Sequence, residues 1–224
     1  MMAKRSDGIG RWAKHWPIAT FVGAVLALLI YAVPGLSELA QFQKSTWLSE
    51  PWRIFSSHLT HFSSRHLVYD LIVFVGLGWA CEKRWPTRTR ITLALSAFTI
   101  PMAFLGTLEH LDTYRGLSGL GSALLVLLAA GLHREKAFQS PIARYLPLAT
   151  GLGFLAKLLF EITTGQSFFV SQASLFEPVP IAHLIGGLIG LGMAWLPNPM
   201  NRAQQSATEC NRVHPSASER IRVK

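Results

Sequence analysis

The apolar residues of this chain fall in six long blocks, and that pattern restricts its fold more than any other feature. The blocks run over 17–36, 66–81, 91–108, 118–132, 145–163 and 180–196. A helix crossing the hydrocarbon core of a bilayer needs about 20 mainly apolar residues, and each block comes near that length. Of the 224 residues 50% are hydrophobic and only 15% charged, a balance typical of membrane proteins. Lipid offers backbone groups no hydrogen-bond partners, and no block alternates with period two, so helices are predicted rather than the strands of a barrel. The predicted fold is all-α: a polytopic bundle of six transmembrane helices.

Charge sets the topology. The formal net charge of +9 could suit nucleic acid, but the basic residues cluster between alternate blocks instead. Lys83, Arg84, Arg88 and Arg90 separate blocks two and three, and Arg134, Lys136 and Arg144 separate four and five. Lys4, Arg5, Arg11 and Lys14 precede the first block, and Arg202, Arg212, Arg220, Arg222 and Lys224 follow the last. Such segments stay in the cytoplasm. Both termini are therefore predicted inside, and no nucleic-acid partner is expected. The first block is longer than the apolar core of a signal peptide, and further spans follow it. The predicted organisation is a cytoplasmic N-terminus over 1–16, a six-helix domain over 17–196 and a flexible polar tail over 197–224. Cys81 and Cys210 both fall on or near the reducing side, so no disulfide is expected.

Polar groups inside hydrocarbon are costly and usually have a role or a partner. At about 1.5 Å per residue, Ser118 lies roughly 21 Å above residue 132, His183 roughly 20 Å above 196 and His66 roughly 21 Å above 80. In a core about 30 Å thick the three stand at one level, below the outer surface. Gly186 and Gly190 strip one face of the His183 helix. Gly119 and Gly121 leave the Ser118 helix similarly bare, so the two backbones can approach closely. A serine beside a histidine is the minimum apparatus for nucleophilic catalysis. No acid is obviously placed to orient the imidazole, which predicts a dyad. A serine in the first turn of a helix also brings free backbone N–H groups, around Gly116 and Ser118, that can hold an oxyanion. No metal or organic cofactor is required.

These residues resemble the rhomboid family of intramembrane serine proteases. The likeness lies in Trp52-Arg53 opening WRIFSSHLTHFSSRHL, with His61 and His66 in the family's histidine positions, in GLSG at 116–119 and in AHLIGGLIG at 182–190. It implies Ser118 as nucleophile, His183 as base, and His66 with the Ser118 amide as oxyanion donors. It further implies a structured first connection at the membrane interface, a lateral gate between spans two and five, a transmembrane protein as substrate, and a bacterial cytoplasmic membrane as home, with the site open to the periplasm. Two positions depart from the family pattern. Asp70 stands where many members carry an oxyanion asparagine, and a carboxylate cannot donate; it is protonated or does another job. Ser122 stands where many have a tyrosine beneath the imidazole. The compact size, the YRGLSG sequence and Asp70 make the chain most similar to the rhombosortase branch, associated with removing C-terminal Gly-Gly sorting tags.

Lys157 and Glu161 interrupt span five four residues apart, which suits a local ion pair. A second reading pairs Lys157, roughly 18 Å above residue 145, with Asp70, roughly 15 Å above residue 80, across the gate. Two other functions stay open: a rhomboid-like pseudoprotease that binds membrane helices without cutting them, and a small metal or proton transporter lined by His58, His61, His66, Asp70 and His183.

Overall fold

The computed structural model describes residues 16–107, 111–135, 143–165 and 179–196. Its helices are α1 (Ile18–Ala32), α2 (Leu36–Ala40), α3 (Arg53–Ser56), α4 (Ser64–Arg84), α5 (Pro86–Thr107), α6 (Ser118–Arg134), α7 (Leu146–Thr164) and α8 (Pro180–Trp195). A two-residue ladder pairs β1 (Phe42–Gln43) antiparallel with β2 (Thr113–Tyr114). The six longer helices coincide with the six apolar blocks. Two of them, over Pro86–Gly106 and Leu146–Thr164, are long and apolar enough to cross a membrane, while α1, α6 and α8 are shorter apolar helices. The chain divides into two compact units, 1–194 and 195–224. The predicted N-terminal segment, apart from residue 16, and the predicted tail lie outside the described residues.

Each outer helix buries one narrow stripe and leaves the rest apolar and exposed. In α1 the small residues Thr20, Ala24 and Ala27 turn inward at helical spacing. Leu148, Leu152, Leu155, Leu159 and Ile162 form the opposite kind of stripe on α7, 54–64% exposed, while Phe154, Leu158 and Glu161 turn inward. An apolar face this continuous suits hydrocarbon rather than water.

The centre belongs to α6. Its residues Gly119 to Leu124, with Leu127 and Gly131, are buried, and it packs against α4, α5 and α7. Contact with α8 is made backbone to backbone. A Cβ at Gly186 would overlap the Gly119 carbonyl, and one at Gly190 would overlap the Ala123 carbonyl. Only glycine permits that approach. Gly121 does not share this seam as predicted: a Cβ there would meet Val73 of α4 at 3.3 Å. Helical rotation explains the difference, because residues 119 and 123 share a face while 121 points some 200° away from 119, at about 100° per residue.

Buried polar anchors fix the helix ends. At the far end of α4, Glu82 accepts from the Ala19 and Thr20 amides at 3.2 and 3.0 Å, from Thr20 Oγ1 at 3.0 Å and from Arg90 Nε at 3.0 Å. A carboxylate at the N-terminus of α1 also complements its helix dipole. In the first connection, Arg53 is 5% exposed; its Nε donates to Glu50 at 2.6 Å, and its Nη1 donates to the Glu38 and Gln41 carbonyls at 2.6 and 2.9 Å. That guanidinium holds Glu50 below the usual carboxylate range, chiefly through their hydrogen bond and with help from Thr46. The first connection is thus a folded element, as the motif implies.

Candidate active site

The segment before α6 is shaped by Gly116. Its φ of +120° lies where side chains are strained, and a Cβ would press within 3.2 Å of the His66 ring and 3.4 Å of Asp70 Oδ2. Its amide donates to the Ser57 carbonyl at 3.2 Å. The next amide, of Leu117, donates to Asp70 Oδ2 at 3.0 Å. Ser118 then begins the helix, half-buried, and no side chain caps the N-terminus. First-turn amides of an α-helix have no partner within the helix, so N–H groups gather around the Ser118 hydroxyl.

Asp70 organises the ground beneath this turn. The same Oδ2 that receives the Leu117 amide lies 3.2 Å from His61 Nε2 and 3.3 Å from His66 Nε2. A second histidine, His58, supports the turn from the other side. Its Nε2 donates to the Ala97 carbonyl of α5 at 3.0 Å, which leaves Nδ1 as an acceptor 3.4 Å from the Tyr114 hydroxyl. The single proton of that hydroxyl lies between this nitrogen and the Gly116 carbonyl, which is nearer at 3.2 Å. Burial pushes His58 down to about 4, against the hydrogen bonds to backbone that favour its protonation. Burial likewise raises the Tyr114 phenol, and the nearby Asp70 charge adds to the rise.

His183, 7% exposed, sits on α8 one turn before Gly186. Its Nδ1 lies 2.8 Å from Oε2 of Glu161, a carboxylate on α7 that is 1% exposed. Lys157 Nζ donates to the other oxygen, Oε1, at 2.7 Å and lies 3.1 Å from the same imidazole nitrogen. Ser118, His183, Lys157, His66 and Asp70 all line one cavity of about 920 Å³, walled by α4 and α7 and floored by α6. The remaining wall is mainly apolar, with Ile72, Val73, Leu125 and Phe160 among its residues.

The rhomboid domain family matches residues 48–198, about two-thirds of the chain. The chain belongs to the rhomboid family. Members are integral membrane proteins. This rhomboid is 27% identical over 190 residues to "Rhomboid protease GlpG" of Salmonella choleraesuis (strain SC-B67), a match covering 79% of this chain and 62% of that protein. It is 30% identical over 151 residues to "Rhomboid protease GlpG" of Salmonella paratyphi A (strain ATCC 9150 / SARB42), covering 66% and 49%. The chain thus spans about half to three-fifths of the length of these relatives.

In this rhomboid the cross-gate pairing of Asp70 with Lys157 is not made. Asp70 is taken up by Leu117, His61 and His66, and Lys157 by Glu161 and the His183 ring. The cavity stands between the two partners of the expected pair, and each finds a nearer one. The local pair, Lys157 with Glu161, is the one observed. Asp70 meets the loop as an acceptor, with its Oδ2 receiving the Leu117 amide. Sequence reasoning missed Glu161, whose carboxylate occupies the place where no acid was expected, and it missed His58. The support that a tyrosine at position 122 would give the imidazole comes instead from α7, while the Ser122 hydroxyl donates to the Ser118 carbonyl at 3.0 Å.

Proposed function

We propose that this chain is an intramembrane serine endopeptidase that uses Ser118 as nucleophile and His183 as general base. The observation that carries the reading is that one apolar cavity receives both side chains, Ser118 from the first turn of α6 and His183 from α8, beside a seam made of bare backbone. The Ser118 proton passes to Nε2 of His183 while Oγ bonds to the scissile carbonyl carbon. Negative charge collects on the carbonyl oxygen, where first-turn amides of α6 are the donors at hand and His66 joins them when its Nε2–H turns from Asp70 to the oxyanion. The C–N bond then breaks as Nε2 returns the proton to the leaving amine. Water next attacks the acyl-enzyme, giving one proton to His183, which restores it to Ser118 as the acid leaves.

Six helices in the expected places, the basic segments between alternate spans and the lipid-suited faces of α1 and α7 support six crossings with both termini cytoplasmic. The site then opens toward the periplasm of a bacterial cytoplasmic membrane, and the substrate is a membrane-spanning segment of an exported protein. The YRGLSG sequence and Asp70 favour C-terminal Gly-Gly tags as that segment. Coexpression of wild type or Ser118→Ala with a protein carrying a Gly-Gly and transmembrane tail tests the reading. Wild type should yield the product short by the tail's mass, and Ser118→Ala only the intact protein. Equal trimming by both would overturn the nucleophile.

A further inference from the structure

A serine–histidine pair acting alone leaves the burial of Glu161 without a purpose. Its carboxylate is 1% exposed, withdrawn from water at the level of the site, and such a charge persists only where partners hold it. The partners are Nδ1 of His183 at 2.8 Å and Nζ of Lys157 at 2.7 Å, one on each oxygen. We propose that Glu161 is a positioning residue for His183, so that the catalytic unit is a triad drawn from three helices, with Lys157 as the fixed counter-charge of its acid. The inference rests on the Ser118 and His183 reading given above.

The argument turns on which imidazole nitrogen carries the proton. To accept from Ser118, Nε2 must be bare, so the neutral ring must hold its hydrogen on Nδ1. Glu161 can only accept, and its Oε2 therefore selects that tautomer. Lys157 Nζ, 3.1 Å from the same nitrogen, is a competing neighbour: donation from it to a bare Nδ1 would put the hydrogen on Nε2 and disable the base. Anchoring the ammonium on Oε1 directs it to the carboxylate instead. When the ring becomes imidazolium, the proton on Nδ1 stays there and the carboxylate offsets the new charge; no second proton moves. The other charged or titratable groups on the cavity wall are His66, Tyr69 and Asp70 of α4, and His66 and Asp70 are engaged with one another there. Glu161 is thus the one acid within hydrogen-bond reach of the base among the described residues.

The test uses the full chain in liposomes with a fluorogenic transmembrane peptide substrate. Glu161→Gln should lower kcat on the order of 10²- to 10⁴-fold with KM changed by less than about threefold, because the amide N–H₂ can donate to Nδ1 and favour the wrong tautomer. Labelling of Ser118 by a fluorophosphonate should slow in parallel, and the downfield Nδ1 proton resonance of His183 should vanish. Should Glu161→Gln fail to fold, the Lys157→Met, Glu161→Gln double variant removes the charge pair together and carries the same test. A folded variant with kcat within threefold of wild type and an unchanged resonance would overturn the triad. If Ser118→Ala is inactive at the same time, the nucleophile reading survives that result; if Ser118→Ala still cleaves, both fall.

Discussion

Replacing Asp70 by leucine and by asparagine separates an acceptor role from a donor role. One oxygen of this carboxylate faces the Leu117 amide at 3.0 Å, His61 Nε2 at 3.2 Å and His66 Nε2 at 3.3 Å. Leucine has a similar shape but no acceptor, so it strands up to three donors in a poorly hydrated region. Each stranded donor costs about 1–3 kcal/mol. Because the three share one oxygen, none of these bonds is at full strength, and the lower end applies: about 3–4 kcal/mol in all. Asparagine can place its carbonyl oxygen where Oδ2 stands, keeping the contacts but losing the charge that makes such bonds roughly twice as strong; about 1–2 kcal/mol should go. Unfolding by titration with a denaturing detergent, followed by circular dichroism, measures both. Activity should follow, since Leu117 precedes Ser118 and a displacement near 1 Å can cost about 10²-fold in rate. Equal stability of the two variants, or an asparagine variant more active than wild type, would refute the acceptor role.

Two further outcomes follow from the geometry. Gly186→Ala should cut cleavage about 10²-fold and destabilise by about 1–3 kcal/mol, because its methyl meets the Gly119 backbone, which cannot swing aside; Gly192→Ala, with open space around its Cβ, is the control and should behave as wild type in both assays. His58 is neutral in the fold down to about pH 4 but takes a proton near 6.5 when unfolded, so the unfolded state binds the extra proton between those values. Stability should therefore fall as the pH drops from 6.5 to 4, by about 3 kcal/mol. Thermal melts of His58→Gln should show that much less pH dependence in this window, and an identical slope would remove His58 as its source.

Helix positions were legible because the apolar blocks are long and the breaks between them carry charge. Counting 1.5 Å per residue put Ser118, His183 and His66 at one level, and in the structure the three line one cavity. Rotation about each helix axis was harder to read. The same count put Asp70 and Lys157 at similar heights, yet height says nothing of which partner a side chain turns toward, and the bend at Gly116 brings a backbone amide to Asp70 that no periodicity would have indicated.

Glu161 shows where a usable signal lay. Counted only against Lys157, it is an ordinary pair four residues apart. Counted against the whole helix, it continues the inward positions Phe154 and Leu158 and lies opposite the stripe of Leu148, Leu152, Leu155, Leu159 and Ile162. An acid on the inward face of a lipid-facing helix cannot be a surface charge; it must meet a donor from a neighbouring helix. With Ser118 and His183 already at that end of the bundle, the unclaimed Nδ1 of the imidazole was the donor most in need of an acceptor, and the missing acid could have been sought on α7 from the pattern of its leucines alone.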